Sequence, residues 1–281
     1  MDPKMDRILL ATDVHPRSDR VLERAAMLAS ALNAELHITH VTESTSEDSH
    51  KIAKSELDRF TGDDGVFCTA IPAASPLVPV ITTSAGTAAE VISDQIADLR
   101  PRIVVMGLGR DFTMTKIFTG STVDSIVASG MASVLVVKTR PVSQYKECVV
   151  AFDGSTQSRL ALETAIWVAP DAHITIVHAT KSDMTRRPEQ DDVEDRISSH
   201  VRTIITEFAA LTSQPPRDFT LHIEGGEPID VVLSYVRKEN PDLVALGQTQ
   251  KTGLKTLVPG SSTSLLLAHL DCDTVVASKP G

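Results

Sequence analysis

Two stretches of the chain, GLGRDFTMTKIFTGST at 107–122 and GQTQKTGLKTLVPGSS at 247–262, share one spacing: a glycine, twelve residues, then a Gly-Ser pair and a further hydroxyl residue. Glycine lets a backbone approach a ligand closely. A Gly-Ser pair opening a helix presents free amides and a hydroxyl to an anion at the positive helix end. That chemistry suits a phosphate. Gly120-Ser121 and Gly260-Ser261 serve equally well as plain helix starts, so they gain meaning only from what surrounds them. Asp13 and Asp153 each close a strand in the corresponding half, where an aspartate can face a ligand or cap its own loop through side-chain to backbone hydrogen bonds.

The elements that must position these residues come as two copies. Residue n falls on residue n+140 for Asp13 and Asp153, Glu23 and Glu163, Pro101 and Pro241, Gly107 and Gly247, and both Gly-Ser pairs. One register held over that span predicts a tandem repeat, with domains at 1–140 and 146–281 and a linker at Thr139 to Tyr145. Short β-rich runs alternate with helix-period runs in each copy, which predicts an α/β fold: two repeats, each a five-stranded parallel sheet with helices on both faces. Strands are expected at Arg7 to Asp13, Glu35 to Thr42, Leu77 to Ser84, Pro101 to Gly107 and Ser133 to Lys138. In the second copy they are expected at Glu147 to Asp153, Ala172 to Ala179, Asp218 to Glu224, Asp242 to Gly247 and Asp273 to Ala277. Helices fill the gaps, among them Ser18 to Asn33, Thr87 to Leu99 and a long one at Glu189 to Leu211 with an acidic start. Thr61 to Pro76, rich in glycine, proline and β-branched residues, reads as a broken helix or loop. Met27, Trp167 and Phe208 read as core.

With 281 residues and a formal charge of −10, spread over both halves, the chain lacks the basic surface that phosphate-neutralising nucleic-acid binding needs. No run approaches a membrane span, and the start lacks a signal peptide's apolar stretch, so a cytoplasmic protein without membrane or nucleic-acid partners is expected. Cys68, Cys148 and Cys272 are odd in number and far apart, which fits buried thiols in a reducing compartment. There is no GxxxxGK[ST] loop and no G-x-S-x-G elbow. The pairs His37/His40 and His173/His178 point to opposite faces of their strands and read as strand residues rather than metal ligands. No dedicated catalyst is indicated.

The starts ILLATD and VVAFDGS, the second strands HITHV and ITIVHA, the fourth strands VVMG and VALG, and the ends SVLVVK and TVVASK together resemble the universal stress protein family in its tandem form, over essentially the whole chain. The resemblance implies a stress-response module with an adenine-nucleotide cleft in those members that bind ATP, through the pattern G-x2-G-x9-G-[ST]. ATP, accompanied by Mg2+, is the cofactor so implied. Carried over by position, the first copy supplies Asp13, Val41, Gly107, Gly120, Ser121 and Thr122, and the second Asp153, Ala179, Gly247, Gly260, Ser261 and Ser262. Arg110 and Gln250 stand where the pattern asks for its second glycine. Their side chains would either fill the path of the phosphates or, for Arg110, pair with a phosphate oxygen through a forked charge-assisted bond. The alternatives to a nucleotide sensor are an interaction scaffold with vestigial clefts and a slow ATP hydrolase. The last strands are the family's place for pairing of the two domains or of two chains as a homodimer, and an edge strand needs such a cover.

Overall fold

The computed structural model describes residues 5–13, 18–42, 55, 78–108, 122–180, 187–248 and 262–279, with backbone only at 187–190. The chain divides into two compact units, the first reaching Gln144 and the second beginning at Tyr145.

The first unit runs β1 (Arg7–Thr12), α1 (Asp19–Ala31), β2 (Glu35–Thr42), β3 (Val80–Ala85), α2 (Ala88–Leu99), β4 (Ile103–Gly107), α3 (Thr122–Ser129) and β5 (Ser133–Val137). Its strands lie in the order β3-β2-β1-β4-β5, every pair parallel. The second unit runs β6 (Glu147–Ala151), α4 (Thr156–Val168), β7 (His173–Thr180), α5 (Arg187–Thr212), β8 (Phe219–Gly225), α6 (Pro228–Glu239), β9 (Leu243–Gly247), α7 (Ser262–His269) and β10 (Asp273–Ala277). Its order is β10-β9-β6-β7-β8, again parallel throughout, so the expected α/β fold is the observed one. In each unit the winding reverses between the first and fourth strands.

Burial explains why these runs fold as they do. Strands β4 and β9 are unbroken apolar runs, buried except at their terminal glycines, as strands covered on both faces must be. Strands β3 and β8 lie at the outer end of each order and are mostly half-buried or exposed. Helix α5 buries Val193, Ile197, Val201, Ile204, Ile205 and Phe208 at helical spacing. Its acidic first turns stay solvated: Asp191, Asp192, Glu194 and Asp195 are exposed. Helices α2 and α6 stop identically. Arg100 and Asn240 both take left-handed backbone at φ 48°, ψ 58°, and donate their amides to Ile96 and Val236.

Several boundaries differ from expectation. Strand β3 begins at Val80 because Pro79 has no N–H to give a ladder. Strands β1 and β6 stop before Asp13 and Asp153, and the turn after Asp153 needs Gly154 at φ 82°. Trp167 and Phe208 are buried, but Met27 is only half-buried, its main-chain oxygen accepting from Gln144. The expected linker is structured at both ends. Arg140 forks onto Glu23, with Nη2 2.6 Å from Oε1. Tyr145 is buried and its hydroxyl donates to Oδ2 of the fully buried Asp273 at 2.7 Å. Cys148 and Cys272 are buried free thiols, and Cys68 and the stretch Thr61 to Pro76 lie outside the described residues. Among the described residues no helix is long and apolar enough to cross a membrane.

Candidate functional site

The strand order puts Asp13, Val41 and Gly107, and likewise Asp153, Ala179 and Gly247, at the carboxyl edge of their sheet, beside the reversal in winding where open parallel sheets leave a crevice. In the first unit Thr12 pairs with His40 and Ala11 with Met106. Continuing that register sets Asp13 level with Val41 on one side and just beyond Gly107 on the other. In the second unit Val150 pairs with Ile176 and Ala245, which sets Asp153 level with Ala179 and just beyond Gly247. Thr122 and Ser262 open α3 and α7, the first half-buried and the second exposed. Arg110, Gly120 and Ser121, with Gln250, Gly260 and Ser261, lie outside the described residues.

Both aspartates are fixed by hydroxyl residues that follow them. The Ser18 hydroxyl donates to Asp13 Oδ1 at 2.5 Å. Asp153 Oδ1 accepts the amide of Ser155 at 2.9 Å, and Ser155 in turn caps α4 by accepting the Ser158 amide. Partial burial pushes the Asp153 carboxyl up, but hydrogen bonds from Ser155 and Ser158 outweigh it and leave the group below its ordinary value. Asp153 is therefore an ionised acceptor at neutral pH.

Two histidines that read from the sequence only as strand residues brace these loops. His40 Nδ1 lies 2.9 Å from the carbonyl oxygen of Thr12, and His178 Nδ1 lies 2.7 Å from that of Phe152. A carbonyl only accepts, so both rings carry their proton on Nδ1. Each histidine thus holds the peptide that precedes the site aspartate. They recur at an offset of 138, not 140, and laying residue n on n+140 sets His40 against Thr180 instead. His200 of α5 stands over the same loop in the second unit, its ring 5.5 Å from Phe152 and Nδ1 3.8 Å from where a Cβ on Gly154 would be.

The fourth-strand glycines have a packing reason of their own. A Cβ on Gly247 would lie 2.5 Å from the backbone carbonyl of Gln157 in the first turn of α4, and one on Gly107 would lie 2.8 Å from Val21 of α1. Neither fits without movement. In the second unit the Thr263 hydroxyl also donates to the Gly247 carbonyl at 3.3 Å, and Ser278 donates to the buried Gln248 side chain. The position matching Thr263 in the first unit is Val123, which has no hydroxyl. Among the described residues no group of three or more His, Cys, Asp or Glu side chains is placed to hold a metal ion.

Comparison with known proteins gives the same two-fold division. The model of the universal stress protein family matches twice, over residues 4–138 and 144–278. A universal stress protein of Methanocaldococcus jannaschii is 22% identical over 142 residues, covering 48% of this chain and 84% of that protein. The stress response protein NhaX of Bacillus subtilis is 26% identical over 157 residues, covering 46% of this chain and 95% of that protein. The crystal structure of a universal stress protein from Archaeoglobus fulgidus superposes with a TM-score of 0.71 at 19% identity, covering 99% of this chain and 100% of that one, a likeness of fold.

Proposed function

The chain belongs to the universal stress protein family, and from that premise we propose that it is a cytoplasmic stress-response module that senses adenine nucleotide at the carboxyl edge of one or both units. The observation that carries this reading is the paired aspartate, anchored at the reversal in winding of each sheet with a histidine-braced peptide behind it. A fixed, ionised carboxylate only accepts hydrogen bonds, which suits the ribose hydroxyls of a nucleotide and not its phosphates. The donor set of the described residues thus fits the nucleoside end. The phosphates, with any Mg2+ they carry, belong to the Gly-Ser segments that follow β4 and β9. The fourth-strand glycines add little, since close packing on α1 and α4 already requires them.

Calorimetry of the intact chain with ATP tests the reading. Heat of binding is expected, reduced by Asp13→Ala, by Asp153→Ala, or by both; absence of binding by the unaltered chain overturns it. One feature favours a scaffold role for the second unit: Thr263 and the Gln157 backbone already engage Gly247. On that reading Asp153→Ala leaves the ATP heat unchanged while Asp13→Ala removes it.

A further inference from the structure

A cavity of about 410 Å3 opens at the amino edge of the second unit's sheet, the end opposite the nucleotide cleft proposed above. Its walls come from the first residues of β6, β7 and β8 and from the end of α6. Val149, Thr175 and Thr220 lie abreast across the strands, with Glu147 and His173 abreast one row nearer the edge. Tyr235 and Glu239 close it from α6. Among the described residues no lysine or arginine lines it. The His173 ring is bound to the Thr220 hydroxyl through Nε2 at 2.8 Å.

The first unit shows what occupies the same place there. By strand register Arg7 corresponds to Glu147, Glu35 to His173 and Leu99 to Glu239. Arg7 lies across this edge, its Nε 2.9 Å from Glu35 Oε2 and its Nη1 donating to the Leu99 carbonyl, the negative end of α2, at 3.2 Å. In the second unit the guanidinium is missing and the charges have changed sign. Glu147 replaces Arg7, and Asp242 replaces Arg102, accepting the amides of Lys146 and Glu147. The Arg217 guanidinium is held by the carbonyls of Ala169 and Ala172. Lys238 offsets one charge, pairing with Glu239 Oε1 at 2.8 Å, but both groups are well exposed. The cavity thus lies where the Arg7 guanidinium lies in the first repeat, with a carboxylate at the arginine's own position and His173 at that of Glu35.

We propose that this cavity binds a small organic cation with a guanidinium head, seated between Glu147 and the carboxyl end of α6, in the place beside the helix end that the Arg7 guanidinium takes in the first unit. A carboxylate, hydroxyl acceptors and a helix carboxyl end suit a forked, planar cation better than a compact ammonium. Tyr235, whose ring packs against His222 with centroids 4.6 Å apart, supplies an aromatic wall.

The test is titration of the intact, isotope-labelled chain with methylguanidine, with methylurea as the neutral mimic of the same shape, followed by amide chemical shifts. Methylguanidine is expected to shift the amides of Glu147, His173, Thr220 and Glu239 with Kd of about 1 mM or tighter, and methylurea to leave them in place. Glu147→Arg, which returns the first unit's guanidinium, is expected to weaken binding at least ~10-fold, as is the milder Glu147→Gln. Agmatine and N-acetyl-arginine N-methylamide separate the sources: tighter agmatine marks a free small molecule, and equal affinity marks an arginine side chain. Equal shifts with methylurea, or shifts that persist in both Glu147 variants, overturn the proposal. ATP binding is read separately, so failure here leaves the nucleotide reading standing.

Discussion

His178 reaches across from the neighbouring strand to donate its Nδ1 proton to the Phe152 carbonyl, 2.7 Å away, one peptide before Asp153. His40 does the same for Thr12 and Asp13. Replacing His178 by leucine leaves that carbonyl without its ring donor. Urea denaturation is expected to show a loss of about 1 kcal/mol, and calorimetry a weaker ATP heat if the second unit carries the nucleotide.

Gly247→Ala is expected to destabilise the chain by roughly 1–3 kcal/mol, because its methyl group would press on the Gln157 backbone, which cannot rotate away. Among the described residues Gly107→Ala meets only the side chain of Val21, so Val21→Ala is expected to relieve it in the double variant. Denaturant midpoints of the three variants check the contrast. Equal costs at both glycines would show that the α4 contact is not special.

The Asp153 carboxyl is held below its ordinary value by Ser155 and Ser158. A depressed folded-state pKa contributes stability above the unfolded value and loses it as pH falls toward the folded value, in the acid range under about pH 4. Asp153→Asn removes the titration. Its stability is expected to fall less steeply than that of the unaltered chain between pH 5 and about pH 3, as read by thermal melts across that range.

Cys148 is fully buried, and burial together with the neighbouring Cys272 pushes its thiol well above the ordinary range. It stays protonated at neutral pH, and the thiolate is the reactive form. In native protein it is expected to resist an aromatic disulfide reagent until urea unfolds the chain. Rapid native labelling, traced to Cys148 by peptide mapping, would contradict its burial.

Tyr145→Phe takes a donor from the buried Asp273 carboxylate. The loss is expected to be about 1–3 kcal/mol, confined to the second unit. Hydrogen exchange at β10 amides, which should quicken while β1 amides do not, is the measurement.

Periodicity made the strands and helices legible because an apolar run covered on both faces has few other fates, as β4 and β9 illustrate. The duplicated aspartates were legible because their offset is uniform. What escaped the sequence depended on geometry that spacing does not encode. His40 and His178 sit at a different offset, and their partners are backbone carbonyls, which leave no mark on residue type. Thr139 to Tyr145 read as a linker because proline and polar residues break both periods, yet Tyr145 is buried and its hydroxyl is bound to Asp273, 128 residues away in the chain. The packing need for Gly247 was likewise hidden, since a glycine that admits a ligand and one that admits a helix are the same letter.

The matched stops of α2 and α6 leave one copy better suited than the other to the same turn. Asparagine tolerates left-handed backbone, but arginine carries a Cβ penalty there of about 1 kcal/mol. The first repeat therefore holds an unused reserve of stability at a single exposed position. Arg100→Gly draws on it without touching either site, giving a sturdier background in which damaging site variants can still be purified and measured.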